Sequence, residues 1–212
     1  TDKDLDQNIY TDFNEAISED GYKLFLKKLY QYGFTVIQNC KTEMSSVEKI
    51  AKKIGYVRES IFGGLWSFES NEDKADSAYT QEELRPHTDS TYSNDAPGLQ
   101  LLLCRHYKAS GGESIMVDGF KIAEKIKNEK KEIYDLLTQI EVTGQYIGDG
   151  VFLKAKRPIF RVNSDSELIQ VSFNNYDRAP FKFSEDKTKK FYEAIKEFDL
   201  IACIVENNWN NK

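Results

Sequence analysis

Apolar positions recur along this chain with two periods, and the change from one to the other marks out its elements. Tyr22, Phe25, Leu26, Leu29 and Tyr30 fall at i, i+3, i+4, i+7 and i+8, the stripe of a helix with one buried face, and Gly33 ends it. Residues 34–38 are β-branched and aromatic and read as a strand. Ser45 and Glu48 have capping-box spacing and open a second helix with Val47, Ile50, Ala51 and Ile54 on one face, closed by Gly55. The continuous apolar run 99–104 predicts a strand buried on both faces, and 114–117 resumes as a strand after the turn at Ser110-Gly111-Gly112. Asp118 suits the cap of a helix starting at Gly119, and Ile133, Leu136, Leu137 and Ile140 mark another helix. Residues 159–162 and 168–173 form a hairpin around polar 163–166; Phe191, Ile195 and Phe198 mark a late helix; 202–205 reads as a last strand.

Many short strands with a few helices and no regular alternation argue against a doubly wound sheet. They predict a mostly β fold with flanking helices, a double-stranded β-helix of the jelly-roll kind. Residues 1–17 read as a polar lead-in, and 18–212 as one domain.

Composition narrows the function classes. With 40% hydrophobic and 13% aromatic residues the chain can build a core, and a net charge of −6 argues against nucleic acid or an anionic membrane as partner. No apolar run is long enough to span a bilayer, and the polar N-terminal residues lack a signal-peptide core. The three cysteines Cys40, Cys104 and Cys203 are odd in number and far apart, which points to a reducing, cytoplasmic setting rather than a disulfide framework or zinc knuckle.

The chemistry concentrates at His87-Thr88-Asp89. In an extended segment His87 and Asp89 share a face, about 7 Å apart along the backbone, and Thr88 points away. An imidazole and a carboxylate so placed, with a second imidazole, make the facial triad of non-heme Fe(II) oxygenases. Alone, the tripeptide is short, and a surface pair is its ordinary reading. The only other histidine, His106, ends the 99–104 run and reads as a solvent-facing residue.

The surroundings add more. Ala78-Tyr79-Thr80, Leu84, Thr91-Tyr92 and Pro97-Gly98-Leu99-Gln100 flank the pair, with Arg58-Glu59-Ser60-Ile61-Phe62-Gly63 and Trp66 before it. Gly111-Gly112, Val117-Asp118-Gly119-Phe120 and Phe173-Asn174-Asn175-Tyr176-Asp177-Arg178-Ala179 follow. Together these resemble the γ-butyrobetaine hydroxylase and trimethyllysine dioxygenase family of Fe(II)/2-oxoglutarate oxygenases over roughly residues 20–209, closer to the trimethyllysine branch.

The resemblance implies a jelly-roll fold, with His87 and Asp89 as metal ligands and the distal histidine outside this sequence. Asn208-Trp209 matches the pair that precedes that histidine, and a further loop and strand are expected after Asp199, so the C-terminal part of the domain is expected to lie beyond the sequence given. No N-terminal zinc domain is expected. Leu102 and Ser114 would serve 2-oxoglutarate, Ser114 reading equally as a plain strand hydroxyl. Phe62, Trp66 and Tyr79 match an aromatic cage for a trimethylammonium group, held by cation–π attraction because a quaternary nitrogen donates no hydrogen bond. Asp76 would meet an amino group. Asn174 and Asn175 would hold the substrate's polar end or serve strand-end hydrogen bonding. Tyr176 and Asp177 read as structural.

The implied activity is hydroxylation of an unactivated methylene of a trimethyllysine-like substrate in carnitine biosynthesis, with Fe(II), 2-oxoglutarate and O2, ascorbate as candidate reductant, and a homodimer as candidate assembly. The alternatives are γ-butyrobetaine or another trimethylammonium acid such as a phosphonate as substrate, or a non-catalytic quaternary-amine-binding jelly roll with an incomplete metal site.

Overall fold

The computed structural model describes residues 8–69, 83–108, 110–112, 114–148 and 150–210, with side chains up to Ala202. It divides into two compact units, Thr1–Ser67 with Leu99–Gly112, and Phe68–Gly98 with Glu113–Lys212.

In the first unit, β1 (Tyr10–Asp12) pairs in parallel with β2 (Val36–Gln38), Tyr10 opposite Val36. The unit also holds three helices: α1 (Phe13–Ile17), α2 (Glu19–Tyr32) and α3 (Met44–Ile54). Ser18 caps α2 by accepting from the Gly21 amide at 3.1 Å, and Gly33 closes it in the left-handed conformation, φ 77°, that a side chain would strain. The apolar stripes of the helices meet in a core of Phe13, Ala16, Phe25 and Ile50, so part of the segment expected to be a polar lead-in is packed. The expected capping box is displaced: α3 begins at Met44, its cap residue is Glu43 without a side-chain cap bond, and the Ser45 hydroxyl bonds the Glu43 carboxylate at 3.3 Å.

The apolar run 99–104 forms no strand. An apolar strand needs a ladder on its flanks, and only Leu101 packs on the core here, while Leu102 is 68% exposed. His106 is exposed, as expected.

In the second unit, Asp118 caps α4 (Gly119–Glu129), its Oδ1 accepting from the Lys121 amide at 3.0 Å. α5 (Lys131–Gln139) follows at once, and Lys130 between them pairs with Glu197 of α6 (Glu185–Asn210). The three helices close over Ile122, Ile126, Leu137, Phe160, Phe191 and Phe198. α6 absorbs the strand expected at 202–205: Phe191, Ala194, Ile195, Phe198, Ile201 and Ala202 are all buried, so the helical period runs on. Residues 114–117 are likewise not a strand, with Ile115 and Met116 exposed.

The expected hairpin is present as β5 (Phe160–Val162) and β6 (Leu168–Val171), with a register shift at Arg161/Val162. A longer one, β3 (Glu141–Gly148) with β4 (Val151–Pro158), runs from Glu141 opposite Pro158 to Gly148 opposite Val151. Among the described residues the sheets are three pairs of strands, and helices occupy more of the chain than strands, so sheet and helix coexist as expected but β does not predominate.

Candidate functional site

The segment carrying His87 and Asp89 is not a regular strand: it bends at Pro86 and Asp89, and Ser90 follows in the left-handed region at φ 56°. Thr88 fastens it to the residues after β6. Its amide donates to the Phe173 carbonyl at 2.7 Å, and its hydroxyl accepts from the Phe173 amide at 2.9 Å, standing in for a second ladder bond. With Thr88 turned onto Phe173, its neighbours turn to the other side together: His87 Nε2 lies 3.1 Å from Asp89 Oδ1.

The imidazole is oriented by what surrounds it. His87 Nδ1 donates to the Arg85 carbonyl at 2.8 Å, which leaves Nε2 as the outward nitrogen. The Arg85 amide donates to the Tyr176 hydroxyl at 3.0 Å, and the Tyr176 ring stands edge-on to the imidazole with centroids 5.8 Å apart. The hydrogen bond to Asp89 lifts the His87 pKa above its ordinary value, against burial, which pulls it down. Both groups converge on one cation: a proton satisfies them, and so does a metal. Two donors each about 2.1 Å from a shared ion and at right angles are about 3 Å apart, so the pair fits one edge of a metal's coordination shell.

Asp177 ties the following residues down. Its Oδ2 accepts from Thr91 Oγ1 at 3.2 Å and from Asn174 Nδ2 at 2.9 Å, and Asn174 Oδ1 accepts from the Tyr176 amide at 2.8 Å. The backbone of Thr91 lies against Gly144 of β3, where an added Cβ would come within 2.4 Å of the Thr91 carbonyl oxygen, so only glycine permits the approach. The guanidinium of Arg157 on β4 donates to the carbonyls of Thr91, at 3.3 Å, and Ser93.

The other expected site residues fall in both units. Phe62 and Trp66, in the first unit, stack with centroids 4.8 Å apart across a turn whose Gly63 has φ 93°. Leu102 lies in the same unit, and Ser114, exposed, in the second. Asn174 is buried with its amide engaged in the 174–177 turn; Asn175 is exposed. Asp76 and Tyr79 lie outside the described residues. Among the described residues no group of three His, Cys, Asp or Glu side chains is placed to hold a metal. Tyr176 and Asp177, expected to be structural, are so, whereas the parts played by Thr88 and Arg157 were not legible as such in the sequence. A Thr between two ligand types and an Asn-x-x-Asp turn were the only signals.

This chain belongs to the taurine catabolism dioxygenase TauD, TfdA family, whose model matches residues 2–210. It is 34% identical to the trimethyllysine dioxygenase of Meyerozyma guilliermondii over 91% of this chain and 53% of that protein. It is 31% identical to the mitochondrial trimethyllysine dioxygenase of Rattus norvegicus over 84% of this chain and 44% of that one. With the gamma-butyrobetaine dioxygenase of Pseudomonas sp. strain AK-1 the identity is 33%, over 86% and 48% respectively. The chain spans about half the length of the curated relatives it matches. Among the described residues no helix is long and apolar enough to cross a membrane.

Proposed function

We propose that the chain is part of an Fe(II)- and 2-oxoglutarate-dependent dioxygenase that hydroxylates an unactivated methylene of a trimethyllysine-like substrate. The observation that carries this reading is the convergence of His87 Nε2 and Asp89 Oδ1 at 3.1 Å, in a chain similar to trimethyllysine dioxygenases. His87 and Asp89 would hold the metal with a third donor from outside the described residues. When bound, ferrous iron with 2-oxoglutarate and O2 supplies the oxidation, yielding succinate, CO2 and the hydroxylated product.

The chain's own residues orient and enclose. Arg85 and Tyr176 hold the imidazole in the tautomer that leaves Nε2 free, and Thr88 sets the two ligands on one side. The stacked Phe62 and Trp66 offer π faces to a trimethylammonium group; the resemblance would add Tyr79 for that group and Asp76 for an amino group. Asn175, exposed beside a committed Asn174, is the member of that pair left for the substrate's polar end. Ser114 and Leu102 would serve 2-oxoglutarate. The reading includes the jelly-roll core, which sheet-and-helix content and family membership support, and a reducing compartment, which the free Cys40 and Cys104 suit.

γ-Butyrobetaine is the second substrate reading, favoured by the 33% identity to the Pseudomonas gamma-butyrobetaine dioxygenase. A panel of trimethylammonium compounds, scored by hydroxylated mass and succinate yield in the purified protein with Fe(II) and 2-oxoglutarate, separates the two. Turnover of trimethyllysine over γ-butyrobetaine is expected. Succinate formation that ignores every trimethylammonium compound would overturn the substrate class.

A further inference from the structure

A small, partly enclosed cavity of ≈ 20 Å³ lies in the second unit, with Thr91, Ser172, Asn174, Asn175, Arg157 and Arg178 among the residues that line it. Two of these are guanidinium-bearing, and among the described residues no carboxylate-bearing side chain lines it. Arg178 stacks its guanidinium on the rings of Phe181, at 5.1 Å, and Tyr192, at 5.0 Å, yet its Nη1 is buried and, among the described residues, has no hydrogen-bond partner. A buried donor without a partner forgoes a hydrogen bond it would have made in water, so such groups in native proteins mark a bound water or ion.

The neighbouring carboxylates do not fill that role. Asp177 is drawn toward Thr91 and Asn174. Asp199 of α6 feels the charges of Arg85 and Arg178 without satisfying Nη1. Around Arg157 the balance is also positive. Burial and the nearby charge of Arg161 both push its pKa down, and only Asp95 opposes them. The volume suits a single particle of about water's size.

We propose that this cavity binds one monatomic anion of the halide class, held by the guanidinium groups of Arg178 and Arg157 with polar support from Ser172 and the Asn174 turn. Neither His87 nor Asp89 lines the cavity; Asn175, assigned above to the substrate's polar end, does, and the anion site does not depend on that assignment. It joins three pieces of chain: β4 through Arg157, the residues after β6 through Ser172 and Asn174, and the turn that carries Arg178. Because Arg157 also grips the Thr91 and Ser93 carbonyls, a bound halide stiffens the backbone just after Asp89.

The test is thermal unfolding of the full chain at constant ionic strength in sodium bromide, chloride or gluconate, with a chelator present so that no halide effect arises at a metal. A saturable rise in the midpoint with bromide and chloride is expected, ~3–6 °C at tenfold excess over Kd, and none with gluconate. Arg178→Gln should remove the halide dependence. Should that variant not fold, crystals of the unaltered protein soaked in bromide decide the matter, with an anomalous peak expected beside Arg178 Nη1. Equal midpoints in all three salts, or a water peak at that place with no anomalous signal, would overturn the proposal.

Discussion

Tyr176 meets His87 from two directions: its ring stands edge-on to the imidazole at 5.8 Å, and its hydroxyl receives the amide of Arg85, whose carbonyl in turn receives His87 Nδ1. The orientation of the candidate ligand is therefore set by a residue 89 positions further along the chain.

Tyr176→Phe keeps the ring and deletes the hydroxyl. The Arg85 amide then loses its acceptor, and the peptide that fixes the imidazole tautomer loosens. Partners of this kind are worth 10–100-fold in metal affinity, and with the ring retained the expected loss is about tenfold. Anaerobic Fe(II) titration with 2-oxoglutarate measures it, and an unchanged affinity would show that the ring contact alone orients His87.

Asp89→Ala removes one of the two convergent donors outright. No Fe(II)/2-oxoglutarate visible absorption band is expected from this variant, and no hydroxylated product. The Asp89 side chain is partly exposed, so its loss leaves no cavity in the core, and the thermal midpoint of the metal-free protein should stay close to that of the parent. A variant that still gives the band would end the ligand assignment.

Gly144→Ala tests how the ligand segment is seated. The new methyl would meet backbone, with the Thr91 carbonyl oxygen at 2.4 Å and the Tyr92 nitrogen at 2.7 Å, and backbone cannot swing aside as a side-chain end can. A loss of about 1–3 kcal/mol is expected from the overpacking, read from the denaturant midpoint. Fe(II) affinity should fall with it, because relief requires the 91–92 backbone to move.

These residues also show what could be read from the sequence and what could not. His87 and Asp89 were legible as a pair because i and i+2 spacing is a local property, and the two side chains meet while Thr88 bonds Phe173 even without a regular strand. The helices at Glu19–Tyr32 and Lys131–Gln139 were legible for the same reason, each carrying its stripe, and that at Gly119–Glu129 through its Asp118 cap. The failures were of partner rather than of period. Residues 99–104 have strand composition but no flanking ladder among the described residues, and 202–205 lie within a helix whose buried face includes Ile201 and Ala202. The β3–β4 hairpin was missed because its distal half is apolar outside, with Ile147 and Phe152 each 62% exposed across the ladder from one another, so inside–outside alternation is blurred. Arg157 and Tyr176 act on residues far away in sequence, which no local pattern records.

Asp199 gives a pH dependence whose sign can be worked out. Burial raises its carboxyl pKa above the ordinary 3.8, more than the charges of Arg85 and Arg178 lower it. The folded protein thus holds this proton more tightly than the unfolded chain. Its stabilising share is complete below the ordinary value and is lost as pH rises through the folded pKa. Asp199→Asn carries no such loss, so its advantage over the parent should open as pH rises out of the acid range and persist at neutrality. Denaturant midpoints of both proteins across that range measure it. An Asp199→Asn variant less stable than the parent at neutral pH would mean that the arginine pairing outweighs burial.

The stacked pair Phe62 and Trp66, 4.8 Å between centroids, is proposed as part of the substrate cage. A trimethylammonium group carries its charge on methyls that cannot donate conventional hydrogen bonds, so aromatic faces distinguish it from neutral molecules of the same shape. Phe62→Leu keeps an apolar side chain of similar bulk and deletes the face. At ~0.5–2 kcal/mol per ring, KM for a trimethylammonium substrate should rise about 2- to 30-fold with kcat nearly unchanged. The decisive control is the analogue in which carbon replaces the quaternary nitrogen. If the ring holds charge, Phe62→Leu leaves binding of that analogue almost as it was. An equal loss for both compounds would make Phe62 and Trp66 a packing pair at a glycine turn and remove them from the cage.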